Sequence, residues 1–165
     1  MNYKLFTNLK VIQSLIFILI PVILWVVAGE RLNSISAYAY GAPMVFSLLL
    51  TLAGALFFYD GFVDPSRWSN MVSGVALFGV VLFPHLDFPV LHYSFAALFF
   101  LWSAFSMVYF SSKKERILKG FAAIFIIFGI LGCYAFNWYT IFWAEWLGMV
   151  PITGHYILEA LEKID

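Results

Sequence analysis

Few side chains in this chain can hold a metal, act as acid or base, or relay a proton, and they fall in two places. His85, Asp87 and His92 lie close together in "PHLDFPVLHY", around a turn, while Glu145 and His155 bracket the stretch "AEWLGMVPITGH". Imidazole nitrogen and carboxylate oxygen are ligands that zinc accepts, so His85, Asp87, His92 and Glu145, the last arriving from another helix at similar depth, form the one candidate metal set. Their spacing matches no zinc signature, and no metal or other cofactor is expected. A histidine and carboxylate without metal can still do acid–base work or pass protons.

On a helix, Glu145, Gly148, Ile152, His155 and Glu159 share one stripe at steps of three and four. Glu145 and His155 are then about 15 Å apart along the axis, too far to touch. Between them Pro151 removes a backbone donor, and Gly154 with Thr153 can relieve the strain, which predicts a kink or short unwinding. Broken helices mark some ligand and ion sites, though proline kinks also serve packing alone. A second stripe, His92, Ala96, Phe99, Ser103 and Ser106, carries small hydroxylated residues suited to close helix association. The polar segment "ERLNSISAYAYG" (residues 30 to 41) reads as a lid over the bundle mouth or as a solvated connection. "YDGFVDPSRWSN" brings Asp60, Asp64, Arg67 and Asn70, which read as caps and a local ion pair of little worth, and no site is placed there. Hydrolase, zincin, phosphate-loop, c-type haem and voltage-sensor patterns are absent.

The elements that must position these residues follow from composition. Of 165 residues, 64% are hydrophobic, 21% aromatic and 11% charged, far from a soluble domain's mix. The chain reads as an all-α polytopic membrane bundle in a single transmembrane domain. Net charge is zero, which excludes a nucleic-acid footprint. The lone Cys133 can form no internal disulfide and reads as a packing residue.

At about 20 apolar residues per crossing, six spans are predicted: Val11 to Gly29, Ala42 to Tyr59, Pro65 to Phe83, Val90 to Phe110, Leu118 to Phe136 and Tyr139 to Leu161. The first has no cleavage pattern and reads as a retained helix. Asp64 and Pro65 cap the third span and Pro84 stops it. Short turns make spans three and four, and five and six, antiparallel neighbours.

Lys4, Lys10, Arg67, Lys113, Lys114, Arg116, Lys119 and Lys163 gather on one side and leave Arg31 on the other. That predicts both termini in the cytoplasm, in a bacterial inner membrane. Trp25, Tyr38, Tyr40, Trp138, Tyr139, Trp143 and Trp146 then form an outer aromatic belt, and Tyr3, Tyr59, Trp68 and Tyr109 a thinner inner one.

The ordered set "SISAYAY", "YDG", "SNMVSGVALFGVVLFP" and "LHYSFAALFF" resembles an uncharacterised family of small bacterial polytopic membrane proteins, over about residues 34 to 110. Here Ala39 separates two tyrosines that are adjacent in that family's pattern. The resemblance implies the helix count, brings no activity, and points to Ser34, Ser36, Asn70, Pro84 and His92. More distantly the chain is similar to membrane hydrolases of the alkaline ceramidase and adiponectin-receptor type, which hold zinc with histidines, an aspartate and a serine. It has one span fewer and, of their C-terminal histidine pair, only His155.

The leading expectation is an outward-facing polar pocket of His92 and Glu145, with His85, Asp87 and Tyr38 at its mouth. It would bind a lipid or small molecule, alone or as a subunit of a membrane assembly. Alternatives are a metal-dependent lipid hydrolase on the same residues, a transporter or proton path joining Glu145 to His155 by water, and a purely structural role. Whether the chain is an enzyme stays open. Ser69 and Ser73, and Gly129 with Gly132, offer small-residue faces for self-association or a membrane partner.

Overall fold

The structure is a computed structural model that describes residues 3–161, with side chains from residue 9 onward. The side chains of Tyr3 and Lys4, and Lys163 altogether, counted above for the belts and orientation, lie outside the described residues.

Every regular element among the described residues is helical: α1 (Tyr3–Ala28), α2 (Tyr38–Gly41), α3 (Pro43–Val63), α4 (Ser69–Leu82), α5 (Pro89–Tyr109), α6 (Arg116–Tyr134) and α7 (Ile141–Ala160). Four are long and apolar enough to cross a membrane: Leu9–Ala28 within α1, α3, α5 and α6. Of the other two predicted spans, α4 is apolar but has 14 residues. The other, α7, has 20 residues but carries Glu145, His155 and Glu159.

Proline and glycine set the ends. Pro43 and Pro89 open α3 and α5, where their missing N–H would have had no partner in any case. Gly29 follows α1 with φ +74°, the left-handed conformation that ends a helix and that glycine adopts without penalty. Asp64 does not cap an α-helix at Pro65 as predicted. Its carboxylate accepts from the Ser66 amide (3.0 Å) and hydroxyl (2.6 Å), closing a 3-10 turn at Pro65–Arg67, and α4 begins after it. The bond from the Ser66 hydroxyl, foremost, holds the Asp64 carboxyl below its ordinary range.

The predicted unwinding at Pro151 is absent, because residues 141 to 160 form one unbroken α-helix. The Thr153 hydroxyl, buried beside the proline, makes no hydrogen bond. One missing ladder bond is tolerable when the helix packs along its length on neighbours, as α7 does on α1 and α6. Pro21 sits inside α1 in the same way.

The long helices form a ring in chain order, each packed on the next, and α7 closes back onto α1. The short connections do make α4 and α5, and α6 and α7, direct neighbours. Phe17 of α1, Phe57 of α3 and Phe99 of α5 meet edge to face at the centre, with centroids 5.5 to 5.9 Å apart, and Tyr156 of α7 joins Phe57 at 5.1 Å. This aromatic plug separates the two ends of the bundle.

Outward, the helices are as apolar as inward. Ile12, Leu15, Leu19, Val22 and Val26 on α1, and Ile117, Phe121, Ile124, Phe128 and Leu131 on α6, are exposed at helical spacing. Faces of this kind around a whole bundle suit hydrocarbon and not water.

Candidate functional site

The segment between α1 and α2 turns back into the bundle mouth. Tyr38, fully buried, pins it from within: its hydroxyl accepts from the Leu32 amide and donates to the Glu30 carbonyl, both at 3.1 Å. The Phe142 amide, an orphan donor in the first turn of α7, bonds the Asn33 carbonyl at 2.8 Å. Arg31 reaches Thr140 and lies 5.9 Å from the Phe142 and Trp143 ring centres.

Folding a loop inward buries backbone donors, and each needs an acceptor. Glu145 supplies one. Its Oε2 accepts from the Ile35 amide at 2.6 Å, and its Oε1 lies 3.3 Å from the Ser36 hydroxyl.

The same hydroxyl lies 2.8 Å from His92 Nε2, and His92 Nδ1 lies 2.8 Å from the Phe83 carbonyl. A carbonyl only accepts, so Nδ1 carries a hydrogen. In the neutral ring Nε2 therefore accepts from Ser36. His92, 1% exposed, is held at both nitrogens. Glu145, Ser36 and His92 thus form one polar chain from α7 through the loop to α5, with the Ser36 hydrogen on the His92 side.

A hydroxyl on an imidazole whose far nitrogen is fixed also has the arrangement of an activated nucleophile. Here the Ser36 hydroxyl is buried and spanned by Glu145, and what the arrangement does in this state is fasten the loop.

Beside the chain lies a cavity of about 330 Å³ between α5, α6 and α7, lined by His92, Tyr93, Phe100, Ile130, Tyr134 and Glu145 among others. A smaller void of about 50 Å³ sits between Ser36, Glu145 and Phe99.

The structure therefore brings His92 and Glu145 together, through Ser36, keeps His85 beside His92 with ring centroids 5.7 Å apart, and places the other predicted pocket residues elsewhere. Tyr38 is a buried tie instead of a mouth residue or a belt residue. Asp87 stands at the exposed rim, accepting from Tyr40 at 3.0 Å, and His85 packs edge-on against Tyr40. His155 lines cavities at the opposite end, with the buried Met149 and Ile152 between it and Glu145. No group of three metal-ligating side chains gathers among the described residues. His92 has both nitrogens in hydrogen bonds and Glu145 is turned to the loop amide.

At the opposite end the segment assigned only caps and a local ion pair takes part in a buried network. Lys10 of α1 reaches Glu159 of α7 at 3.0 Å and Asp60 of α3 at 3.8 Å, and Arg67 reaches Glu159 at 2.9 Å and Asp64 at 3.5 Å. Asn70 donates to Asp60 and accepts from Tyr156, both at 2.5 Å. Lys10, Asp60 and Asn70 are all buried, and such ions are tolerated only when compensated in this way. Residue types alone missed both Ser36 and this network because the partners are remote in sequence. Ser36 bonds across 56 and 109 residues and Tyr156 across 86. The one signal was that the family resemblance had marked Ser36, Asn70 and His92.

A family model described as a family of unknown function (DUF7103) matches residues 19–160. No curated protein and no solved structure matches the chain, so the distant similarity to ceramidase-type hydrolases gains no support.

Proposed function

We propose that this chain, which belongs to the DUF7103 family of unknown function, is a six-span integral membrane protein that holds an acyl chain or another apolar small molecule in the cavity beside His92 and Glu145. The carrying observation is that cavity, about 330 Å³ and walled almost wholly by apolar and aromatic groups with His92 and Glu145 among its few polar ones. Small-molecule sites have this size and this balance of lining. Because His92 and Glu145 are already engaged with Ser36 and the Ile35 amide, their role in this reading is to fasten the loop over the ligand. Catalysis is not required.

In this reading the bundle lies in a bacterial inner membrane with both termini in the cytoplasm. Supporting that orientation, Lys10, Arg67 and Lys119 gather at the end remote from Arg31, which lies against Thr140, the asymmetry that the positive-inside rule describes. In this reading α4 and α7 also span, with the polar groups of α7 turned into the ring. Self-association or a membrane partner would use the exposed apolar faces, since Ser73 and Gly132 are buried within the bundle.

Ala96 lines both the cavity and the smaller void, so Ala96→Trp should fill the space from one wall. Native mass spectrometry of the detergent-purified protein should find one bound apolar molecule in the parent and none in Ala96→Trp. An empty parent, or equal occupancy in both, removes the reading.

A further inference from the structure

The ring is loosest between α5 and α7, which meet each other little because α6 packs across both. At the basic end this gap holds two adjoining cavities. One, about 390 Å³, is polar, with Arg67, Asn70, Lys119, His155 and Glu159 in its wall. The other, about 430 Å³, is an apolar groove along Leu118, Phe121, Phe125, Val150, Pro151 and Leu158. Met107, Lys119 and His155 line both, so the polar chamber opens onto the groove at a cation. A Cβ built on Gly154, in the groove wall, meets nothing within 4 Å.

The described lining of the chamber holds more cations than carboxylates, with Arg67 and Lys119 against Glu159, while Asp64 at 3.5 Å and Asp60 at 3.9 Å meet Arg67 from outside it. Among the described residues of its lining only Glu159 is acidic, and its two oxygens already serve Lys10 at 3.0 Å and Arg67 at 2.9 Å. Lys119, 4% exposed, has Glu115 at 3.6 Å. Lys113 and Lys114 on the adjoining connection and Arg116 at the start of α6 stand exposed, so the segment "KKERILK" sets four cations against one carboxylate beside the chamber. Basic pockets between membrane helices, with a basic cluster just beyond, are the electrostatic pattern that anionic lipid headgroups seek.

We propose that the two cavities bind one anionic phospholipid, its phosphate at Lys119 beside the basic segment and one acyl chain along the groove past Gly154. A free phosphate would leave the groove unused. A zwitterionic lipid would bring its own cation to a rim that already holds four. The site is separate from the cavity beside His92, on the far side of the aromatic plug, and stands whether or not that cavity is occupied.

The test is native mass spectrometry of the delipidated full chain in detergent, titrated with dioleoyl-phosphatidylglycerol or dioleoyl-phosphatidylcholine, which share their acyl chains. One phosphatidylglycerol per chain should be retained in preference to phosphatidylcholine. Lys119→Gln should lower that retention roughly fivefold, the worth of one cation at an anionic headgroup. Gly154→Phe, whose side chain enters open space, should lower it at least as much with no fall in unfolding temperature, and Ala96→Trp should leave it unchanged. Equal retention of both lipids, or retention of phosphatidylglycerol indifferent to Gly154→Phe, overturns the proposal. So does an unfolding temperature raised as much by inorganic phosphate as by the lipid, which would mark a free-anion pocket.

Discussion

Ser36 has one hydrogen and two claimants. His92 Nε2 at 2.8 Å is the nearer, and Glu145 Oε1 at 3.3 Å the farther. With His92 neutral the hydrogen goes to the ring, and the contact to Glu145 becomes a hydrogen bond only when the carboxyl brings a hydrogen of its own. A glutamine brings one on its amide nitrogen and keeps an oxygen for the Ile35 amide. Glu145→Gln should therefore leave the loop fastened. Glu145→Ala should cost about 1–3 kcal/mol, the penalty for stranding a buried donor, seen as a lower unfolding temperature in detergent. A glutamine variant as unstable as the alanine would mean that the negative charge itself, and not the pattern of donors and acceptors, holds the loop.

Among the elements, α3 and α4 approach each other more closely than side chains would permit. A Cβ on Gly74 would lie 2.6 Å from the Gly54 carbonyl oxygen and 2.8 Å from the Phe58 amide nitrogen. Both are backbone atoms that cannot swing aside. Gly74→Ala should therefore force the two helices apart and destabilise by about 1–3 kcal/mol, as overpacking does. Gly154→Ala in α7 has open space around it and should be stabilising by about 0.5–1 kcal/mol, the intrinsic gain of alanine over glycine in a helix. Thermal unfolding of the two variants beside the parent separates glycines kept for contact from glycines that only line space. The same contrast bears on α7 as a whole, where helix continuity through Pro151 comes from packing and not from local preference.

For the whole molecule, closure of α7 onto α1 puts the carboxylates of a late helix next to the first helix and the loop that follows it. Glu159 meets Lys10, and Glu145 meets Ile35. Two polar ends result, divided by Phe17, Phe57 and Phe99. With the buried Cys133 replaced by alanine, single cysteines at Arg31→Cys and Lys113→Cys test the proposed topology. A membrane-impermeant maleimide should label the first in intact cells and the second only after permeabilisation. The reverse pattern, or labelling of both from one side, contradicts it.

Helix positions were legible in the sequence because apolar run length and the placement of proline and glycine are local properties, and a helix satisfies its backbone locally. Pro43, Pro89 and Gly29 set their boundaries without help from the rest of the fold. Local signals also exposed Glu145 and His92 as polar groups in apolar surroundings that need partners, and the chain itself carried the one-sided charge of "KKERILK". Which partners they find depended on ring closure, which no local pattern encodes. Tertiary structure alone placed Ser36 between His92 and Glu145, turned Tyr38 inward, sent His155 to the other end and assembled Lys10, Asp60, Asn70, Tyr156 and Glu159 from four helices. The physical reason is that a buried polar group is satisfied by whatever the fold brings within hydrogen-bonding reach, and in this ring those partners lie from about ten to more than a hundred residues away along the chain.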